Sequence, residues 1–131
     1  MTAELTWIGG LGFTATDAAG FSIPLNSEGV GVTPAEAVLM GVGGCMGIDV
    51  VSILKKQRQE VASLSVSLSA TRNPVPPKFF TGITMLFTIT GEGLNPDKVQ
   101  RAIDLSWGTY CSALHSIRPD VTWDIGFKIA G

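Results

Sequence analysis

Thr33-Pro34-Ala35-Glu36-Ala37-Val38-Leu39-Met40-Gly41-Val42-Gly43-Gly44-Cys45-Met46-Gly47-Ile48-Asp49-Val50-Val51-Ser52-Ile53-Leu54-Lys55-Lys56 is the stretch that decides the fold. Its start is a helix signal. Thr33 can accept from the free amides of a first turn, Pro34 suits the first helical position, and Glu36 completes a capping box. Lys55, Lys56 and Arg58 place positive charge where the helix dipole favours it, so the helix is expected to run to about Gln59. From Ala37 to Ile48 it is apolar or glycine on every side, and a helix hydrophobic all round must be covered all round. At roughly 25 residues it would be about 37 Å long, close to the diameter of about 36 Å expected for a compact chain of this length. One sheet covers one side only. Gly41, Gly43, Gly44 and Gly47 each cost about 1 kcal/mol against alanine in a helix interior. Close approach of another backbone at this strip is the simplest offset, and a dimer with two such helices packed together supplies it.

Working outward, the flanking segments read as strands. Leu5 and Trp7, then Phe13 and Ala15, then Phe21, Ile23 and Leu25 alternate with smaller or polar residues, punctuated by Gly9-Gly10 and Ala19-Gly20. Leu64, Val66 and Leu68 alternate with four serines. Asn73-Pro74-Val75-Pro76-Pro77 is a loop, and Ile83, Met85, Phe87 and Ile89 form the inward side of another strand. Asn95-Pro96-Asp97 opens a second helix with Val99, Ala102, Ile103, Ser106, Tyr110 and Leu114 on one face. Val121 to Ile129 makes a last strand. The order is βββ-α-ββ-α-β, an α+β class with antiparallel pairing expected from the short connections. The whole chain, residues 1–131, is expected to be one domain.

Composition excludes several functions. Hydrophobic residues make up 45% of the 131 and charged ones 15%, which excludes disorder. A net charge of −2 lacks the basic excess of a nucleic-acid binder. The uncharged run Ala37–Ile48 is too short to span a bilayer, and the first residues show no signal-peptide pattern, so no membrane role is expected. Two cysteines suit a reducing compartment, with the cytoplasm as the default. Glu4, Asp17, Glu28, Glu36 and Asp49 are the charges of the first 54 residues, with no Lys or Arg among them. A cation needed near a site there must come from the second half or from another chain.

Cys45 and Cys111 are the candidate chemistry. Free cysteine often fills core space. Two thiols on two helices that cross are also the minimum for a dithiol–disulfide cycle, in which a thiolate takes oxygen from a peroxide and the second thiol condenses with the sulfenic acid. The attacking thiol then needs a cation or donor to lower its pKa. Arg72, Lys78, Arg101 and Arg118 are candidates and His115 a weaker one, whereas Asp49, one turn after Cys45, opposes the thiolate. No C-x-x-C spacing exists, so neither metal nor cofactor is expected. His115 reads as a helix-end cap, and Trp7, Trp107 and Trp123 as core or interface.

Thr33-Pro34-x-Glu36, the run Leu39 to Cys45, Asp49 to Lys56, Gly91-x-Gly93-Leu94-Asn95-Pro96-x-Lys98-Val99 and Tyr110-Cys111-Ser112 together resemble the OsmC/Ohr superfamily, and within it the YhfA-like subgroup, over nearly the whole chain. The resemblance implies an intertwined α+β homodimer with antiparallel sheets around two long central helices. It implies thiol-dependent reduction of organic hydroperoxides with Cys45 as peroxidatic and Cys111 as resolving thiol. It also implies a dithiol reductant, of lipoyl type in the Ohr branch. The family's activating arginine in the N-terminal strands has no counterpart here, and its helix-start glutamate position is Ala35, with Glu36 one residue later and about 100° around the helix. Arg72 or Arg118 is expected to replace that arginine. The alternative is a dimeric binding protein that holds a lipid-like or small ligand, its cysteines incidental.

Overall fold

The computed structural model describes residues 1–130 and follows the expected order. Strands β1 (Ala3–Gly9), β2 (Gly12–Asp17) and β3 (Ser22–Asn26) precede α1 (Pro34–Lys56). Then come β4 (Ser63–Arg72), β5 (Phe80–Thr90), α2 (Pro96–Leu105), a π-helical turn (Ser106–Tyr110), the short α3 (Ser112–His115) and β6 (Thr122–Ile129). Contacts group the chain into two units, one spanning Met1–Leu39 and one from Met40 on.

In the first unit β1, β2 and β3 form an antiparallel meander in sequence order. The β1–β2 connection is left-handed at Gly9 and Gly10, with φ of 103° and 53°, and the Leu11 amide donates to the Glu28 carboxylate. The β2–β3 turn is held by Asp17, whose Oδ1 accepts from the amides of Ala19 and Phe21, both at 2.9 Å. The capping box forms as the sequence predicts. The Glu36 amide donates to Thr33 Oγ1 at 3.1 Å, and the Thr33 amide donates back to Glu36 Oε1 at 3.0 Å.

In the second unit β4, β5 and β6 form a sheet in that order. Leu64, Val66 and Leu68 of β4 lie on the face that carries Met85, Phe87 and Ile89 of β5, and the serines of β4 lie on the exposed face. Val42, Met46, Val50 and Leu54 recur every fourth residue along α1, so they form one buried stripe against this face, joined by Val99, Ala102 and Ile103 of α2. Gly43 is required by close approach. A Cβ there would stand 2.5 Å from Leu68 Cδ1. Gly91 is equally constrained, since a Cβ would run into the Glu60 carbonyl.

Three details depart from the sequence expectation. First, β5 and β6 pair in parallel, while the other three pairings are antiparallel. The connection between them is not a hairpin but a helical crossover, which carries the chain back to the opposite end of the sheet from the one it left. Second, α1 stops at Lys56 rather than Gln59. Arg58 takes a left-handed conformation, φ 59°, and two reversed bonds close the end, Arg58 amide to Lys55 carbonyl and Gln59 amide to Leu54 carbonyl. This is the Schellman pattern, here without its usual glycine. Third, the second helix is broken after Leu105 by the π-helical turn, and Cys111 sits at the break with φ −74° and ψ 95°.

By length and hydropathy alone α1 passes as a membrane span, with a mean hydropathy of 2.0. The uncharged run of twelve residues understated this. A buried stripe packs α1 on the sheet of the second unit, and further apolar side chains, among them Ile48 and Val51, are left exposed.

Candidate functional site

Cys45 lies midway along α1 and is half-buried. Cys111 is fully buried, and both thiols are free. The break after α2 positions Cys111. Its amide donates to the Ser106 carbonyl at 2.9 Å, closing the π turn, and its Sγ accepts from the Leu114 amide at 3.3 Å, capping α3. The same residue therefore ends one helical segment and starts the next, which fixes its sulfur.

The two cysteines are neighbours, since Cys45 packs against the buried cluster that holds Cys111. Burial pushes the Cys111 thiol up to about 11. The Leu114 amide pulls the other way, while a hydrogen bond and charge from Cys45, and then the charge of Asp49, push it further up. Cys111 is thus a neutral thiol at neutral pH, with Cys45 as its neighbour. Asp49, one turn below Cys45, accepts from the hydroxyl of Ser106 with Oδ2 at 2.8 Å, and Ser106 is itself fully buried. Cys45, Cys111, Asp49 and Ser106 form one cluster between α1 and the π turn.

The other residues singled out from sequence stand elsewhere. Glu36 is consumed by the capping box. The Thr33 amide and hydroxyl hold its carboxyl below the ordinary value. Arg118 makes a two-point ion pair with Asp120, at 2.6 and 2.8 Å, and lies over the Phe79 ring at 3.7 Å. Arg72 donates from Nε to the Lys78 carbonyl at 2.8 Å. Neither is among the groups that bias Cys111. Local partners at the loop end of the sheet hold both. The His115 ring donates from Nε2 to the Trp107 carbonyl at 2.8 Å, and Trp107 meets Trp123 edge to face at 5.5 Å. Among the described residues no cluster of three His, Cys, Asp or Glu exists that could hold a metal. Sequence reading missed Ser106 as a site residue. Its signal was a serine at an apolar-face position of α2, where a polar group needs a partner.

Two cavities flank α1. One is an open apolar groove of about 830 Å³ between the glycine strip Gly43, Gly44 and Gly47 and the β4 residues Leu64, Val66 and Leu68. The other, about 520 Å³, is walled by Asp49, Ser52 and Lys56 of α1, by Gln57 just beyond its end, and by Leu105 and Tyr110.

Against known proteins, the family model for OsmC-like protein matches residues 26–126. Protein YhfA of Escherichia coli strain K12 is 44% identical over 114 residues, covering 86% of this chain and 85% of that one. The crystal structure of a hypothetical protein from Aquifex aeolicus VF5 superposes with a TM-score of 0.91 at 29% identity, covering 98% of this chain and 95% of that one. The organic hydroperoxide resistance protein OhrB of Bacillus subtilis shares the fold at a TM-score of 0.63 and 18% identity, covering 98% of each chain. The family match extends over most of the chain and takes in both cysteines, so the protein belongs to the OsmC-like family.

Proposed function

We propose that the protein is a cytoplasmic, homodimeric thiol peroxidase that reduces organic hydroperoxides through a Cys45/Cys111 dithiol–disulfide cycle. Family membership supports the coarser statement, a role in redox or stress chemistry. The observation that carries the finer one is the adjacency of two free thiols in different settings, one accessible and one enclosed. The Cys45 thiolate attacks the distal oxygen of ROOH. The O–O bond breaks, the alkoxide takes a proton and leaves as ROH, and Cys45 becomes a sulfenic acid. The Cys111 thiol then condenses with it, forming the S–S bond and releasing water. A dithiol reductant, of the lipoyl type the resemblance implies, restores both thiols and leaves as its own disulfide. The raised pKa keeps Cys111 from competing for the peroxide, which orders the two roles.

Three features support a dimer. Trp7 and Ile23 on the first sheet and Phe21 in its β2–β3 turn are exposed in the single chain, as are Ile48 and Val51 on α1. Exposed apolar surface of this extent is uncommon on a monomer. The glycine strip of α1 is open, with space beside Gly41 and Gly44. A second reading, a binding protein for a lipid-like ligand, is favoured by the apolar groove, whose volume lies in the range of small-molecule sites.

The deciding experiment treats reduced protein with a limiting organic hydroperoxide, beside Cys45→Ser and Cys111→Ser. Peroxide loss in the wild type, a Cys45–Cys111 disulfide by non-reducing mass analysis, and no loss with Cys45→Ser are expected. A rate no greater than that of free thiol would sink the peroxidase reading. A ligand co-purifying with the protein would then favour the second.

A further inference from the structure

Among the described residues, Ser106 makes the only hydrogen bond from the π turn to the helix that carries Cys45. It bonds in two directions. Its hydroxyl donates to Asp49 Oδ2 at 2.8 Å, and its carbonyl accepts from the Cys111 amide at 2.9 Å. Two hydrogen bonds therefore connect the Cys111 backbone to a residue one turn along α1 from Cys45. The turn has few other holds. Ser106 and Cys111 are fully buried, whereas Trp107, Gly108, Thr109 and Tyr110 between them are exposed, and a Cβ at Gly108 would meet nothing within 4 Å. The remaining tethers lead elsewhere. The Trp107 carbonyl accepts from the His115 ring of α3, and the Trp107 ring meets Trp123 of β6. π-Helical bonding is rare and persists only in short turns, so this one needs an anchor. Burial of Cys111 in the core supplies attraction, but apolar contact has no direction. A disulfide demands direction, with the two Cβ atoms brought to about 3.8 Å.

We infer that Ser106 and Asp49 are positioning residues for the Cys45–Cys111 disulfide. Their hydrogen bond clamps the π turn on α1 and holds the Cys111 sulfur where it can join that of Cys45. The inference rests on the dithiol cycle proposed above and gives Asp49 a part in it. The charge of Asp49 disfavours the Cys111 thiolate, so the carboxylate does not serve by activating that thiol. Accepting from a buried hydroxyl is the use that accounts for its place, and a bond to an ionised acceptor is stronger than one between neutral groups. Clamp and disulfide restrain the same turn, so each strengthens the other by the same factor. A hydrogen bond that only stabilised the fold would cost the same stability in both redox states.

The test forms the protein disulfide with diamide and equilibrates it with reduced and oxidised dithiothreitol at pH 7. In this exchange the protein disulfide takes up two electrons and two protons, and the two thiols of the reagent close into its ring disulfide. The equilibrium constant gives the effective concentration of Cys45 and Cys111 for each other. Ser106→Ala and Asp49→Ala should each lower it about tenfold, raising the potential by about 30 mV. The double variant should fall no further, because both changes remove one bond. Asp49→Asn loses the same charge as Asp49→Ala but keeps an oxygen that can accept from Ser106, so it should stay close to wild type. His115→Ala frees the turn from α3 alone and should leave the value unchanged. In urea, Ser106→Ala should destabilise the reduced protein more than the oxidised one, by the same tenfold factor. An equilibrium unmoved by Ser106→Ala and Asp49→Ala overturns the inference, as do additive losses in the double variant. So do equal losses in Asp49→Asn and Asp49→Ala, or a loss of that size with His115→Ala. A disulfide that diamide forms and peroxide does not removes the peroxidase reading alone, and the variants still decide this one. Failure of diamide to join Cys45 to Cys111 removes both.

Discussion

The two sheets have the same kind of sequence and opposite burial. In β5, Met85, Phe87 and Ile89 alternate with the outward-facing Leu86, Thr88 and Thr90 and are at most 1% exposed. In β1 and β3, Trp7 is 65% and Ile23 55% exposed, although they follow the same period. Alternation states which side of a strand is apolar, not what covers it. The sheet of β4, β5 and β6 finds its cover in α1 and α2 of the same chain. The first sheet keeps an equally apolar pattern without burial of its own. The cysteines repeat the contrast on a smaller scale, with Cys111 enclosed and Cys45 open to chemistry.

The largest effect should come from setting Phe87→Ala against Trp7→Ala. Phe87 is fully enclosed, so its truncation should cost about 3–5 kcal/mol by denaturant unfolding. Trp7→Ala should change the stability of dilute protein by no more than about 0.5 kcal/mol, as for an exposed site. At high concentration it should weaken association, measured by sedimentation. A loss of several kcal/mol for Trp7→Ala in dilute protein would break the comparison, because the first sheet would then own a core.

The thiols come next. Iodoacetamide should label Cys45 at least tenfold faster than Cys111 at pH 8, since Cys111 is buried and its thiol is pushed up to about 11. The same shift links to stability. Between the ordinary thiol value of 9.0 and about 11, the folded chain keeps the Cys111 proton that the unfolded chain loses. The stabilisation is complete below pH 9 and lost as pH rises through 11. Thermal unfolding of Cys111→Ser should fall less steeply across that window than that of the wild type. Equal labelling of the two thiols would show that the π turn opens readily.

Much of this was legible in the sequence, and for local reasons. The capping box, the strand alternations and the Asn95 cap each depend on residues within a turn or two of one another. The Asn95 side chain, for example, accepts from the Asp97 amide at 2.9 Å. Cys45 was readable because the glycines beside it are costly in a helix. The adjacency of Cys111 was not, because 66 residues separate the two and only the fold joins them. The parallel pairing of β6 was hidden in the direction of the α2 crossover. The helix end was hidden by Arg58, which adopts a conformation the sequence signals only when glycine is present. Arg72 and Arg118 looked like free cations because their partners, a carbonyl and Asp120, follow from loop geometry.

The glycines of α1 sharpen the contrast at about 1 kcal/mol. Gly44 has open space where a Cβ would go, so Gly44→Ala should gain about 1 kcal/mol of helix propensity in dilute protein. Gly43→Ala gains the same propensity but drives Leu68 from its place, an overpacking cost of about 1–3 kcal/mol. It should come out destabilising by about 1 kcal/mol. The sign for Gly44→Ala should reverse once association is measured, if a second helix packs on that strip.

The smallest effect belongs to the helix start, and it separates a structural carboxylate from a chemical one. Thr33→Ala should cost about 1 kcal/mol by removing the hydroxyl that accepts the Glu36 amide. Glu36→Gln keeps the shape of the side chain and loses its charge. The Glu36 carboxyl is held below its ordinary value by Thr33, so its contribution is present above the unfolded value of 4.5 and lost as pH falls through the lower folded value. The variant should therefore differ from wild type in stability at pH 7 and converge with it in acid, with its peroxide rate unchanged. If instead the rate fell while the unfolding curve stayed put, Glu36 would belong to the chemistry. The capping box would then be only its resting position, and the open face around Cys45 would extend to the start of α1.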